Sequence, residues 1–392
     1  MKYVVLIPDG AADHPLKELS SKTPLEVADM PNIKKLASKS LQGLAQTIPE
    51  GFTAGSDVAN LSILGYDPHK YYSGRGPIEA AFRGIETGDN DTVFRCNLIT
   101  VKEGKIFDYS AGHISTDEAK VLIEELEKDL GSDIISFFPG MSYRHLTVIK
   151  DFSFSGIDMV PPHDAIGVPV EDLFPKEENA KLLIDLTLSS CDILKDHPLN
   201  KEREERGLNP ANMIWLWGGG KKKQLPSFKD RFGVSGGVVS AVDLIKGLAV
   251  SMGLEAVNVE TATGYFDTDY EGKARASLDI LEENDFVYVH VEAPDEAGHT
   301  GNIEEKIKAL ENFDERLVGT MLESLDLEET KVLLLPDHAT PISLKTHTSE
   351  TVPYLIYPGD QKADGYSEEI AGKISTGVIK GYDLMKRFIR DK

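Results

Sequence analysis

The sequence predicts an α/β protein: a mainly parallel sheet with helices on both faces, interrupted by a second, smaller α/β domain. Three observations carry this. Apolar, β-branched runs at Lys2 to Pro8, Asp285 to Val291 and Lys331 to Pro336 show no polar alternation, as buried strands of a parallel sheet require. Helical patterns lie between them, and strand–helix alternation is the mark of a layered α/β fold. The middle of the chain is different, with short strand-like pieces around one strongly amphipathic helix. A chain of 392 residues, 41% of them hydrophobic, has material for two cores.

Taken in order, the first run leads directly into Asp9-Gly10. Glu50 to Leu61 follows, with Gly51 and Gly55 permitting a tight loop and Val58 to Leu64 continuing as helix. Strand-like pieces occur at Val93 to Val101, Tyr143 to Ile149 and Met213 to Trp217. Between the first two, Ser115-Thr116-Asp117-Glu118 fits a capping box ahead of apolar Ala119, Leu122, Ile123, Leu126 and Leu130. A charged stretch runs from Lys195 to Gly207. Residues 236–252 read as a helix. Ile303, Ile307, Leu310, Phe313, Leu317 and Met321 recur at three- and four-residue steps and mark one apolar helix face. The division this implies is a catalytic domain of residues 1–87 and 226–392 with residues 88–225 inserted.

The composition narrows the function. A formal charge of -23 argues against a nucleic-acid binder, which needs a basic footprint, yet leaves room for a small phosphorylated substrate held by a few convergent cations. The two cysteines, Cys96 and Cys191, lack C-x-x-C spacing and read as buried apolar residues rather than a disulfide or thiolate site. The N-terminal apolar run is shorter than a signal peptide requires, and no apolar stretch is long enough to span a membrane, so a cytoplasmic protein is expected.

Each of the three strand runs delivers an aspartate beyond its carboxyl end, where open α/β sheets bind ligands: Asp9, Asp295 and Asp337. Asp295 and His299 lie four apart and can face one point; carboxylate with imidazole suits Mn²⁺ or Zn²⁺. That spacing carries little weight alone. Asp337-His338 is adjacent at a strand end, and Thr346-His347-Thr348 follows. Taken singly, the pair reads more readily as a capped turn, and His347 as a surface or hydrogen-bonded histidine. Ser56 stands at a helix N-terminus, where backbone N–H groups favour an anion, although Ser more often serves there as a plain N-cap. A serine hydroxyl is a poor nucleophile at neutral pH unless a bound metal lowers its pKa. Asp9, Ser56, Asp295, His299, Asp337, His338 and His347 therefore form one testable assembly, whose clustered carboxylates two divalent ions would neutralise.

At these residues the chain resembles the alkaline-phosphatase superfamily and, within it, the shorter, archaeal-like cofactor-independent phosphoglycerate mutases. The shared segments run from Pro8-Asp9-Gly10 through Pro31 to Leu36, Gly55-Ser56-Asp57, Tyr72 to Pro77 and Pro294 to Gly301, ending with Asp337-His338 and Thr346-His347-Thr348. The resemblance implies an alkaline-phosphatase-like catalytic domain holding two divalent ions and needing no 2,3-bisphosphoglycerate. Mn²⁺ is the expected ion, with Zn²⁺, Co²⁺ or Mg²⁺ as alternatives. One ion would be held by Asp295, His299 and His347. The other would be held by Asp9, Asp337, His338 and the Ser56 oxygen. Ser56 would carry a phosphoserine while 3-phosphoglycerate and 2-phosphoglycerate interconvert in glycolysis and gluconeogenesis, and the inserted domain would close over the substrate.

Arg75, His113, Arg144, His145 and Lys246 resemble positions that hold the substrate's phosphate or carboxylate; Lys273 is a lesser candidate. The sequence departs from the family in one place. The segment resembling Asn212 to Gly220 ordinarily carries arginine, whereas here Trp215 and Trp217 occupy it and Lys221-Lys222-Lys223 follows. This keeps a second substrate open, homoserine, through a kinase-like relative in threonine biosynthesis.

Overall fold

The apolar run at the N-terminus lacks polar alternation because both faces of its strand are covered. In the computed structural model, which describes residues 1–154, 157, 159–361 and 363–390, it lies at the centre of a large sheet. In chain order the strands are β1 (Lys2–Pro8), β2 (Ser40–Gln46), β3 (Thr92–Lys102), β4 (Lys105–Asp108), β5 (Ile135–Met141), β6 (Arg144–Ile149), β7 (Met213–Lys221), β8 (Gly236–Val239), β9 (Glu255–Val257), β10 (Phe286–Val291), β11 (Thr330–Leu334), β12 (Val352–Gln361) and β13 (Val378–Lys380). The chain divides into two compact units, residues 1–72 with 224–392, and residues 73–223.

The first unit holds an eight-stranded sheet in the order β13-β2-β12-β11-β1-β10-β8-β9. Strands β11, β1, β10, β8 and β9 are parallel; β12 runs antiparallel to both β11 and β2. Successive side chains on a strand point to opposite faces. Val4 and Leu6 of β1 enter a core with Tyr270, Phe313 and Leu317, whereas Tyr3 meets Phe388 of the C-terminal helix edge-on at 5.6 Å. Helical segments therefore flank both faces. β11, β1 and β10 are neighbours, so their carboxyl ends open at one place and bring Asp337, Asp9 and Asp295 together.

The helix read over 236–252 begins later than its sequence pattern suggests. Gly236–Val239 is strand β8, and the helix is Asp243–Ser251. A β-carbon on Gly236 would lie 2.0 Å from the Phe286 carbonyl oxygen, so glycine is what lets this short strand reach β10. The amphipathic pattern at 303–321 is helical throughout, with a π-helical turn at Phe313–Gly319.

The second unit is built on β4-β3-β6-β5 with β7 also paired to β3, all of them antiparallel pairings. Its core contains Phe94, Leu98, Leu122, Leu126, Leu183 and Trp215. Ser115 caps helix Thr116–Leu130 by accepting the Glu118 N–H. Residues 73–87, expected in the catalytic domain, belong to this unit. The reason is packing: Ala80, on helix Arg75–Phe82, shares a small core with Val93, Leu146 and Val148. Gly76 admits that approach, since a β-carbon there would stand 2.3 Å from the Val93 carbonyl oxygen. No helix among the described residues is long and apolar enough to cross a membrane.

Because the obstructing atoms at Gly76 are backbone, Gly76→Ala should destabilise the protein by about 1–3 kcal/mol. A lowered urea midpoint is expected, and an unchanged one would show that the helix can move away.

Candidate metal and phosphoryl-transfer centre

Three strand ends and two helix starts build the site in the first unit. Asp9 follows β1, and its own N–H is tied to Val291 O at 3.0 Å, so its backbone is locked to the end of β10. Asp337 is fully buried. Its Oδ1 accepts the N–H groups of Gly10 (3.1 Å) and His338 (2.9 Å), and its Oδ2 accepts from Asn60 Nδ2 (2.8 Å). Asp295 lies in the first turn of helix Ala293–Thr300, whose last turn carries His299. The i, i+4 geometry puts His299 Nε2 3.2 Å from Asp295 Oδ2. His347 Nε2 lies 3.4 Å from Asp295 Oδ1 and 2.9 Å from His299 Nε2.

Ser56 is the first residue of helix Ser56–Ile63, and the N-cap is Gly55. The serine hydroxyl is therefore not used as a cap. Instead Oγ lies 3.1 Å from His338 Nε2. The partners assign the His338 tautomer: Thr340 Oγ1 gives its proton to Asp295 Oδ1, so it accepts from His338 Nδ1 at 3.2 Å, and Nε2 keeps a lone pair facing Ser56. Burial holds His338 low, at about 4, which keeps that ring neutral. The Nε2 atom also stands 3.4 Å from Asp9 Oδ1 and 3.6 Å from Asp337 Oδ2. Asp9, Ser56, Asp295, His299, Asp337, His338 and His347 thus gather in one pocket.

A histidine that the sequence reading passed over joins them. His290, fully buried on β10, points Nε2 toward Asp9 Oδ2 (3.3 Å) and Asp337 Oδ2 (3.9 Å). The available signal was a single titratable residue inside an otherwise apolar strand. Two sets of atoms are close enough to hold an ion each: Asp295, His338 and His347, and Asp9, His290 and Asp337. His338 borders both.

The electrostatics are those of a pocket short of positive charge. Burial, then Asp337 and Asp295, raise the Asp9 carboxyl well above its ordinary range. Burial also opposes ionisation of Asp295, but His299 and His347 outweigh it and hold that carboxyl low. At His299 burial is overcome by Asp295, which lifts the ring to about 9. At His290 burial is overcome by Asp337 and Glu292, again to about 9. Asp9 Oδ1 and His290 Nε2 are buried without a hydrogen-bond partner, as donor atoms arranged around a cation are. The carboxylate and imidazole donors fit divalent ions.

The expected substrate contacts are less uniform. Arg75, on helix Arg75–Phe82, lies over Trp217, its guanidinium 5.5 Å from the ring. Arg95 of β3, opposite Trp217 of β7, lies over the same ring at 4.5 Å and pairs with Glu79 at 3.0 Å. Burial depresses the Arg95 pKa, and Arg75 and Arg144 depress it further, so three cations converge here. His113 is exposed in a loop, with its ring 6.1 Å from Tyr143. His145 turns inward: Nδ1 accepts the Gly140 N–H at 2.8 Å, and burial lowers the ring to about 3. Lys246 is buried in the first unit beside Asp243 (3.3 Å) and Asn258 (3.2 Å), toward the β8–β9 edge. Lys273 is fully buried and bonds Glu292 Oε2 at 2.6 Å.

A family model described as 2,3-bisphosphoglycerate-independent phosphoglycerate mutase matches residues 37–200. Proteins of that name from Methanosarcina barkeri (48% identical) and Methanosarcina acetivorans (47% identical) align over the whole of both chains. A Geobacter sulfurreducens protein named as a probable one is 47% identical over 99% of this chain and all of its own. Among solved structures, a Pyrococcus horikoshii protein superposes with a TM-score of 0.82 at 30% identity, covering 99% of this chain and 96% of that one. A cofactor-independent phosphoglycerate mutase from Thermoplasma acidophilum superposes with a TM-score of 0.64 at 26% identity, covering 100% and 99%.

Asp9 is a net liability to the metal-free fold, so Asp9→Asn should raise the metal-free melting temperature by about 2–4 °C while shrinking, without abolishing, the further rise caused by Mn²⁺. Scanning calorimetry with and without Mn²⁺ checks both; a fall in the metal-free value contradicts the charge argument.

Proposed function

This chain belongs to the family of 2,3-bisphosphoglycerate-independent phosphoglycerate mutases, and we propose that Ser56 is its nucleophile, interconverting 3-phosphoglycerate and 2-phosphoglycerate through a phosphoserine. The observation that carries this is the Ser56 hydroxyl, released from capping by Gly55 and aimed at His338 Nε2 among three aspartates. Asp295, His299 and His347 would hold one divalent ion, and Asp9, Asp337 and His338 with the Ser56 oxygen the other; Mn²⁺ suits this donor set, as do Zn²⁺ and Co²⁺ and, less well, Mg²⁺. Such ions, when bound, neutralise the carboxylates and the phosphoryl oxygens and lower the pKa of the serine hydroxyl.

The rest is done by the protein. The helix that begins at Ser56 turns free N–H groups toward an incoming anion. Asn60 keeps the helix in place by bonding both Ser56 O and Asp337 Oδ2 at 2.8 Å, with Tyr288 O–H donating to its other side. The Oγ–phosphorus bond forms as the bond to the substrate oxygen breaks, and the serine proton ends on the departing oxygen, leaving phosphoserine and glycerate. The reverse attack by the other glycerate hydroxyl restores the serine. Because donor and acceptor are the same glycerate, the reaction balances without 2,3-bisphosphoglycerate.

Recognition of an anionic substrate is assigned to Arg75, Arg95 and Arg144 of the second unit. Trp217 replaces the arginine expected on its strand, but Arg95 on the paired strand places its cation over the indole. That juxtaposition favours phosphoglycerate over homoserine.

After incubation with 3-phosphoglycerate and Mn²⁺, peptide mass spectrometry should find one phosphoryl group on Ser56. Ser56→Ala should lower turnover by at least on the order of 10³-fold. Phosphate appearing on homoserine but never on glycerate would overturn the assignment. Arg95→Met should raise KM for 3-phosphoglycerate about 10-fold or more, as loss of a charged hydrogen bond does, while leaving phosphorylation of Ser56 at saturating substrate. An unchanged KM would remove Arg95 from recognition.

A further inference from the structure

We infer that His290 is an additional ligand of the ion held by Asp9 and Asp337, and that Glu292 and Lys273 exist to present it. The inference rests on the reading that this pocket binds divalent ions, and concerns which of the chain's atoms do so.

His290 has one nitrogen committed and one open. Nδ1 faces Glu292 Oε1 at 3.4 Å. That same oxygen accepts from Ser240 Oγ and from Ala241 N, both at 2.9 Å, and Oε2 accepts from Lys273 Nζ at 2.6 Å. Lys273 Nζ also bonds the His290 carbonyl at 2.9 Å, which closes a loop back to the same residue. Glu292 is therefore an immobile acceptor, and it fixes a proton of His290 on Nδ1. Nε2 is then the nitrogen turned into the pocket, between Asp9 Oδ2 (3.3 Å) and Asp337 Oδ2 (3.9 Å) and without hydrogen-bond geometry to either.

A buried imidazole nitrogen facing two carboxylate oxygens calls for positive charge between them, supplied by a proton or by a metal ion. The arrangement is that of a metal-bound histidine whose distal N–H is fixed by a carboxylate. His338 is presented in the same way, with Thr340 and Asp295 in place of Glu292. Proton and divalent ion compete for the one Nε2 position, and the ion is the better match for two flanking carboxylates. Lys273 acts at one remove: its ammonium keeps Glu292 charged and is a positioning group, not a ligand.

The test uses the metal-stripped full chain and Mn²⁺ alone, titrated calorimetrically into wild type, Asp295→Asn, His290→Gln, and Asp295→Asn with His290→Gln. Wild type should take two ions and Asp295→Asn one. Adding His290→Gln should weaken that remaining ion about 10–100-fold. His290→Gln on its own should leave the other ion's affinity at the wild-type value, which also reports that the variant folds. Remaining-ion affinity indistinguishable from Asp295→Asn overturns the inference. Wild type that binds no Mn²⁺ overturns the metal reading itself, a different result. Should His290→Gln not fold, diffraction from wild-type crystals soaked in MnCl₂ decides: an ion about 2 Å from His290 Nε2 supports ligation, and an ion held by Asp9 and Asp337 but beyond bonding distance of Nε2 overturns it.

Discussion

Parallel strands end side by side, and in this chain three neighbouring ends each deliver an aspartate into a space with little water. Like charges so close cannot all be ionised in a low-dielectric interior. Asp9 is the group that yields, pushed upward by burial and by its two neighbours, while Asp295 and Asp337 keep their charge through histidines. Much of the surrounding structure serves that frustration. Asn60 and two backbone N–H groups fix Asp337, Thr340 orients both Asp295 and His338, and Val291 holds the backbone of Asp9. Rigid donors that repel one another without a cation are costly to keep in a fold, and preorganisation for cations is the function proposed for them.

The second unit meets an opposite constraint. Arg95 is nearly buried, and its charge is made tolerable by Glu79 and by the face of Trp217. Trp217 is fixed in turn, its Nε1 donating to Asn97 at 3.0 Å. A cation held this way, with Arg75 and Arg144 pressing on it, gains from an anion that enters among them. One unit thus concentrates negative charge that seeks cations, and the other concentrates arginines that seek anions.

The large sheet was legible because its signals are local: uninterrupted apolar runs, each ending in Pro-Asp or reaching Asp through a short turn. The same runs located Asp9, Asp295 and Asp337, and loop glycine marked Ser56. His290 escaped because a residue inside a strand shows its environment only after the neighbouring strands are paired. Arg95 escaped for the same reason. Read along one strand, 212–220 lacks an arginine; read across the β3–β7 ladder, Arg95 sits opposite Trp217. Gly236-Gly237-Val238-Val239 joined a helical pattern in sequence, although close approach to β10 makes it a strand. His145, whose position resembles a substrate contact, is buried with its Nδ1 taken up by the Gly140 turn.

Native mass spectrometry of the metal-stripped chain, titrated with Mn²⁺, addresses the charge argument most directly. Conversion of the intact protein to a species carrying two ions, without accumulation of higher occupancies, is the predicted result. A chain that remains ion-free in excess Mn²⁺ would contradict it, for then protons on Asp9 and on the histidines alone would reconcile three buried aspartates.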